Sequence, residues 1–218
     1  MRAISMLTET IEYAIVSVKM TTAYANSKLI EKWAAEFRGV FSLADLRNLL
    51  DPTSDTVLFQ RLKSLRALGV IRRFGRSFYV TEGFSLEPLS SRICPDSCIS
   101  FATVLADALV IGSIPANTVT AVKCGPSREY LSDWGNVVHL GLAGHLLFGY
   151  TVRDGVRYAD KEKAFLDTVY YYQKGRRYSF DPYTDVNIDL LDREQLRRYI
   201  GRYRNPGFAT FVEGFLNA

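Results

Sequence analysis

Cysteine is scarce in this chain of 218 residues, at three. An odd number in a chain of this length does not form a disulfide framework, so the composition fits a reducing compartment. Long apolar runs are missing as well. The apolar opening from Ile4 to Met20 is interrupted by Glu9, Glu12 and Lys19 and is followed by no small-residue cleavage site. It reads neither as a membrane span nor as a secretory signal, and the expectation is a cytoplasmic protein without a membrane partner. A large excess of one charge is also absent. The 27 Lys and Arg residues against 23 Asp and Glu give a net charge of +4, so a nucleic-acid site would have to come from local clustering.

Enzymatic signatures are wanting too. There is no Gly-x-Ser-x-Gly elbow and no phosphate-cradling Lys loop. A metal-dependent nuclease needs an acid two residues before a lysine on a strand, but in "ADKEK" Ala159 precedes Lys161 and Lys161 precedes Lys163. Gly112-Ser113 lacks the paired aspartates a nucleotidyltransferase uses to hold metal. Cys94, Cys98, Cys124, His139 and His145 lack the tight paired spacing of structural zinc ligands, and the cysteines fit small buried hydrophobic residues better. No enzyme, cofactor or metal site is expected.

What the chain has is apolar material for real cores, at 48%, and length for two modest domains or one large one. Leu7, Ile11, Ala14, Ile15 and Val18 share one face of an amphipathic first helix, suited to docking on the next domain or to a dimer contact. A second helix is expected from Ser27, as its cap, to Phe37, with Gly39 as its stop. Val40 and Phe41 read as extended. Ser42 caps a short helix carrying Leu43, Leu46, Leu49 and Leu50, which Asp51, Pro52 and Ser54 break before a longer helix to Leu68. After Gly69, the residues Val70, Ile71 and Phe74 alternate with charge, Gly75 and Arg76 turn, and Phe78, Tyr79 and Val80 return as a hairpin. That order predicts a winged helix-turn-helix.

The longer helix repeats Leu58, Leu62, Leu65 and Leu68 at core spacing, which turns Thr56, Gln60 and Lys63 outward with Arg61, Ser64 and Arg66 on their flanks. The hairpin adds Arg72, Arg73, Arg76 and Ser77. From Arg61 to Arg76 there are six basic residues and no acid. Thr56, Gln60 and Lys63 suit base edges in a major groove, and the arginines suit backbone phosphates, so the expected partner is double-stranded DNA.

From Thr81 to Pro95 the composition shifts towards Gly, Ser and Pro, with Gly83, Pro88, Ser90 and Ser91, and a boundary near Leu89 divides residues 1–89 from 90–218. Beyond it a helix is expected over Phe101 to Val110. Strands are expected over Thr118 to Cys124, Val137 to Leu140 and Leu146 to Val152, and helices over Asp160 to Gln173, Arg193 to Tyr203 and Phe208 to Leu216. The overall class is α+β, with a mixed second domain. Arg193, Arg197, Arg198, Arg202 and Arg204, interleaved with Tyr199 and Tyr203, read as a solvated face balanced by Asp189, Asp192 and Glu194.

The second domain carries "CISFATVLADALVIGSIP", "VKCG", "VVHL", "FGY" and "VRYADKEKAFLDTVYY". With Ile99, Ser100, Ala106 and Leu109, then Phe148 and Gly149, then Ala159, Glu162, Lys163, Ala164 and Asp167, this stretch resembles the AbiEi family of antitoxins. With the winged helix the resemblance covers about residues 27 to 173. It implies a type IV antitoxin that represses its own operon at operator DNA, expected to hold inverted repeats, and counteracts a nucleotidyltransferase-like toxin, with Ser100, Glu162, Lys163 and Asp167 as its motif. Physically, Asp160 caps the last motif helix, Glu162 favours its positive end, and Lys163 and Asp167 pair four residues apart, so a structural role explains the motif without a partner. The alternative function is a winged-helix regulator whose second domain senses a ligand or oligomerises, with no toxin.

Overall fold

The computed structural model describes residues 22–112 and 117–216. The amphipathic helix expected over residues 4–20 lies outside them, as does Ser113. The chain divides into two compact units, Met1–Ser85 and Leu86–Ala218.

In the first unit a helix, α1, covers residues 22–34 and a turn follows to residue 39. Ser27 is therefore inside the helix and not its cap, and its hydroxyl donates to the Tyr24 carbonyl. Phe37 falls in the turn, where its ring stacks on Phe41 at 5.0 Å. Gly39 has φ +70, and a Cβ there would lie 2.7 Å from Thr81 Oγ1, so only glycine lets the chain pass. Strand β1 (Val40–Ser42) leads into α2 (Leu43–Leu50). Ser42 caps α2 by accepting from Asp45 N at 3.1 Å, and the Asp45 carboxylate accepts from Ser42 N at 2.7 Å, which closes a capping box. Asp51, with φ +43, ends α2, and Ser54 caps α3 (Asp55–Ala67).

Leu58, Leu62 and Leu65 of α3 are buried and join Ile30, Phe41, Leu46, Leu50, Ile71 and Tyr79 in one core. Each such burial contributes roughly 1.5–3 kcal/mol. Leu68, expected on the same stripe, is 59% exposed. The helix ends one residue before it and Gly69, with φ +72, turns the chain away. Strands β2 (Arg72–Phe74) and β3 (Phe78–Val80) form a hairpin that β1 joins in the order β1-β3-β2, all antiparallel.

The second unit opens with α4 (Leu86–Ile93), which runs through the boundary expected at Leu89. Its Gly, Ser and Pro content reads as a connection, yet Leu89 and Ser90 are wholly buried because one face of the helix packs on the sheet behind it. That sheet has six strands: β4 (Cys98–Ile99), β5 (Thr118–Cys124), β6 (Arg128–Tyr130), β7 (Asn136–Leu142), β8 (Tyr150–Arg153) and β9 (Val156–Ala159). Their order is β6-β7-β5-β4-β9-β8, with β5·β7 and β4·β9 parallel and the remaining pairs antiparallel. The run expected as one strand from Leu146 to Val152 splits into a 3-10 turn, Gly144–Leu146, and β8. Gly149, with φ +65, starts the bend between them.

Helix α5 (Phe101–Asp107) and α6 (Lys161–Gln173) pack against one another and the sheet, and α7 (Arg193–Ile200) and α8 (Pro206–Leu216) pack on α6. One core joins Ile99, Leu105, Val122, Leu140, Phe165, Leu196 and Phe208. Mixed helices and sheets thus make an α+β chain.

Candidate functional site

In the first unit the residues expected at DNA are outside the core for a simple reason. With Leu58, Leu62 and Leu65 inward, the 3.6-residue period leaves Thr56, Gln60 and Lys63 on the far face, and all three are exposed together with Ser64 and Arg66. Gln60, Lys63 and Ser64 line a groove of about 440 Å³ whose other wall is Thr22, Ala23 and Asn26 of α1. Arg61 is different. It is half-buried, and its guanidinium donates to the Leu50 carbonyl at the C-terminus of α2, where it satisfies an orphan helix acceptor. The hairpin loop Gly75-Arg76-Ser77 is exposed, with Gly75 at φ +61, and Arg73 beside it donates to the Arg76 carbonyl at 3.2 Å. Arg72 is half-buried in the strand opposite Val80. Ser77 gives its carbonyl to Leu43 N at 2.9 Å, so the hairpin is tied to the start of α2. Phe59, which periodicity leaves without a role, is 52% exposed on the outer surface of α3.

The motif of the second unit lies inside. Ser100, Glu162, Lys163 and Asp167 are between 0% and 3% exposed. The Lys163 ammonium and the Asp167 carboxylate form an ion pair one helical turn apart. Ser100 Oγ donates to Asp167 Oδ2 at 2.7 Å, and the Tyr203 hydroxyl donates to Oδ1 at 3.4 Å while accepting from Lys163 Nζ at 3.3 Å. The Phe148 ring closes the cluster, 5.1 Å from Lys163 Nζ, and Arg202 stacks over that ring at 4.0 Å. Burial holds the Asp167 carboxyl above the usual carboxylate range, with Lys163, Ser100 and Tyr203 pulling the other way. Burial and the Asp167 charge push the Tyr203 phenol well up.

Two backbone features serve this cluster. Ser100 stands at the N-cap of α5 but makes no cap hydrogen bond, because its hydroxyl is turned to Asp167. Phe101 follows with φ +59, a strained conformation for a bulky residue, which costs roughly 1–3 kcal/mol. At the start of α6, Asp160 Oδ1 accepts from Lys163 N at 2.8 Å, and Oδ2 accepts from the Tyr199 hydroxyl at 2.7 Å. Glu162 Oε1 accepts from Asp192 N at 2.9 Å and so holds the start of α7. A Cβ at Gly149 would lie 3.0 Å from the Tyr199 ring, which explains the glycine after Phe148. Tyr199 and Tyr203 belong to this arrangement, although their sequence context signals only a basic helix. Nothing local marks them, since their partners sit about forty residues away.

The remaining candidates separate. Cys98 is buried, and burial pushes its thiol up to about 12, while Cys124 is exposed and Cys94 half-buried. His139 is buried, shares a 2.9 Å hydrogen bond between its Nε2 and Ser90 Oγ, and is lowered to about 4 by burial and the nearby Lys123 charge. Among the described residues no three His, Cys, Asp or Glu side chains converge as metal ligands. Arg193 donates to the Leu216 carbonyl at 3.1 Å and so tethers α8, whereas Arg197 and Arg204 are exposed.

No family model matches the chain, and no curated protein does. Among solved structures the chain is similar to the RV2827C protein from Mycobacterium tuberculosis. The TM-score is 0.53 at 16% identity, over 80% of this chain and 70% of that one. The likeness is one of fold, a mixed α/β architecture. No described helix is long and apolar enough to cross a membrane.

Proposed function

We propose that the protein is a DNA-binding repressor whose first unit is a winged helix-turn-helix and whose second unit is an AbiEi-like antitoxin domain. The observation that carries the DNA reading is the outward face of α3, Thr56, Gln60 and Lys63, followed by an exposed hairpin with Arg73 and Arg76. Thr56 and Gln60 can bond base edges, Lys63 can approach bases or phosphate, and Arg66, Arg73, Arg76 and Ser77 hold the DNA backbone. Arg61, engaged with Leu50, keeps α2 and α3 in register and meets DNA only at its edge. Footprinting upstream of the protein's own gene tests the reading. Protected inverted repeats support autoregulation, and absence of any protected site on that DNA overturns it.

The antitoxin function rests on the resemblance, whose Ser100, Lys163 and Asp167 meet in one buried network, while Glu162, buried as well, holds Asp192 N in a separate contact. Their burial favours a scaffolding role for the motif, with neutralisation of a nucleotidyltransferase-like toxin acting through repression or through other surfaces. Co-expression with a toxin encoded beside the gene tests this, and failure to rescue growth overturns it. The same burial favours a second reading, a cytoplasmic regulator with no toxin partner, which loss of operator control without any toxin phenotype would support.

A further inference from the structure

Strand β8 forms one edge of the six-stranded sheet, where among the described residues β9 is its one neighbour, and every residue of β8 is exposed. The direction of its backbone groups follows from two contacts. Asp160 N donates to the Gly149 carbonyl at 2.8 Å, and the two-residue turn Asp154-Gly155, with both residues at positive φ, joins Arg153 to Val156. Each contact marks a hydrogen-bonded pair between β8 and β9, and in an antiparallel ladder such pairs alternate along the strand. Gly149, Thr151 and Arg153 therefore turn their backbone groups towards β9. Tyr150 and Val152 turn theirs to the open edge.

The side chains alternate between the two faces of the sheet. Arg157 lies 5.4 Å from the Tyr150 ring and Arg153 lies 4.0 Å over the Tyr158 ring, which places Tyr150 and Val152 on one face and Thr151 and Arg153 on the other. Tyr150 and Val152 are 39% and 61% exposed. The opposite edge of the sheet is built differently. There β6 carries Arg128 and Glu129, both exposed, and charge on an edge strand discourages further pairing. Strand β8 has no proline, and neither of its outward-facing residues is charged.

We infer that β8 pairs antiparallel with β8 of a second copy of this chain, in the register that sets Thr151 against Thr151 about a two-fold axis. Only that register lets Tyr150 and Val152 of one copy exchange N–H and C=O bonds with Val152 and Tyr150 of the other. A centre at Tyr150 or before it would set one of the two against the buried Phe148. A centre at Val152 or after it would set one of them against Asp154, where the chain has already turned with φ +52. In the Thr151 register each exposed Tyr150 gains a β-branched neighbour on its own face, threonine meets threonine, and Arg153 falls opposite Gly149 and not opposite another arginine. Aromatic pairs with β-branched residues and Thr–Thr pairs both stabilise a sheet, and like charges directly opposite do not. This self-complementarity favours a second copy over an unrelated strand, because a two-fold contact requires a surface to match itself. The inference stands apart from the DNA-binding reading, and its test contains no DNA.

A contact of one short strand from each copy is far smaller than the roughly 20–30 residues a side of a standard interface, so the dimer should dissociate at about 10–100 µM. Sedimentation of the full chain from about 5 to about 500 µM spans that range and should show monomer passing to dimer. Thr151→Lys and Thr151→Glu each place like charges opposite one another and should weaken association about fivefold with an unchanged melting temperature. An equimolar mixture of the two variants should associate about tenfold more tightly than either alone, since only the mixed pair is complementary. A second measurement uses cysteine in a Cys124→Ser background. Thr151→Cys should cross-link two copies under mild oxidation, because directly opposed residues there lie about 4.5 Å apart at Cα, within disulfide reach. Arg153→Cys, opposite Gly149, should not. A chain that stays monomeric throughout overturns the inference and leaves the edge to a strand from another protein. A dimer that is indifferent to both Thr151 variants, or a mixture no tighter than its components, overturns it too, since association would then use another surface.

Discussion

The two units use charge in opposite ways. In the first, polar and basic side chains stand on the outer face of α3 and on the hairpin, where water screens them and no packing depends on Thr56, Gln60 or Lys63. In the second, the charged residues of the motif are sealed in, and Asp167, Lys163, Ser100 and Tyr203 satisfy one another. Exposed charge is easily changed and available to a partner. A buried ion pair is neither, because removing one member strands the other in a low dielectric. The contrast teaches that a recognisable motif need not be a contact surface, and that an ordinary helix face can be one.

The largest expected effect attacks the buried side. Lys163→Ala should destabilise the second unit by about 3–5 kcal/mol, read by thermal melting, because Asp167 is left uncompensated. Lys163→Met with Asp167→Leu should recover much of that loss. A single variant costing no more than a surface substitution would erase the distinction between the units.

Protonation sharpens the same point. His139 is lowered from its ordinary 6.5 to about 4, so the unfolded chain binds the proton more readily between those values. The His139 contribution is complete above pH 6.5 and is lost as pH falls towards 4, a change of roughly 3 kcal/mol. His139→Gln should flatten that part of the melting-temperature profile. A profile equally steep in the variant would assign the pH dependence elsewhere.

On the exposed side, Arg73→Gln/Arg76→Gln should leave stability within about 0.5 kcal/mol while weakening duplex binding roughly tenfold at moderate salt, by anisotropy. A comparable loss of stability would mean that the hairpin arginines are structural, as Arg61 is. A small effect is also expected at the start of α2, where Ser42→Ala removes the capping box and costs about 1 kcal/mol by denaturant titration, with no change in duplex binding.

How much of this is legible in the sequence differs by element. Strand β5 follows the expected Thr118 to Cys124, and α6 follows Asp160 as its cap, because alternation and capping are local signals. Helix α4 reads as a connection, since its Ser and Pro residues have poor helix propensity and only the sheet beneath Leu89 stabilises the helix. Strand β9 is announced by the Asp154-Gly155 turn that joins it to β8, both residues at positive φ, whereas β4 is two residues long and its parallel partner lies far along the chain, so no nearby turn announces it. Periodicity puts Leu68 inside, because it does not say where a helix stops.

By itself the sequence determined the face of α3, through the spacing of Leu58, Leu62 and Leu65, the cap at Ser42, and the spacing that allows Lys163 to reach Asp167. These depend on one helical turn or less. Only the tertiary structure decided that Ser100 and Tyr203 complete that pair and that Arg61 is engaged with Leu50. Burial and long-range partners depend on which distant segments meet, and a local pattern does not encode that.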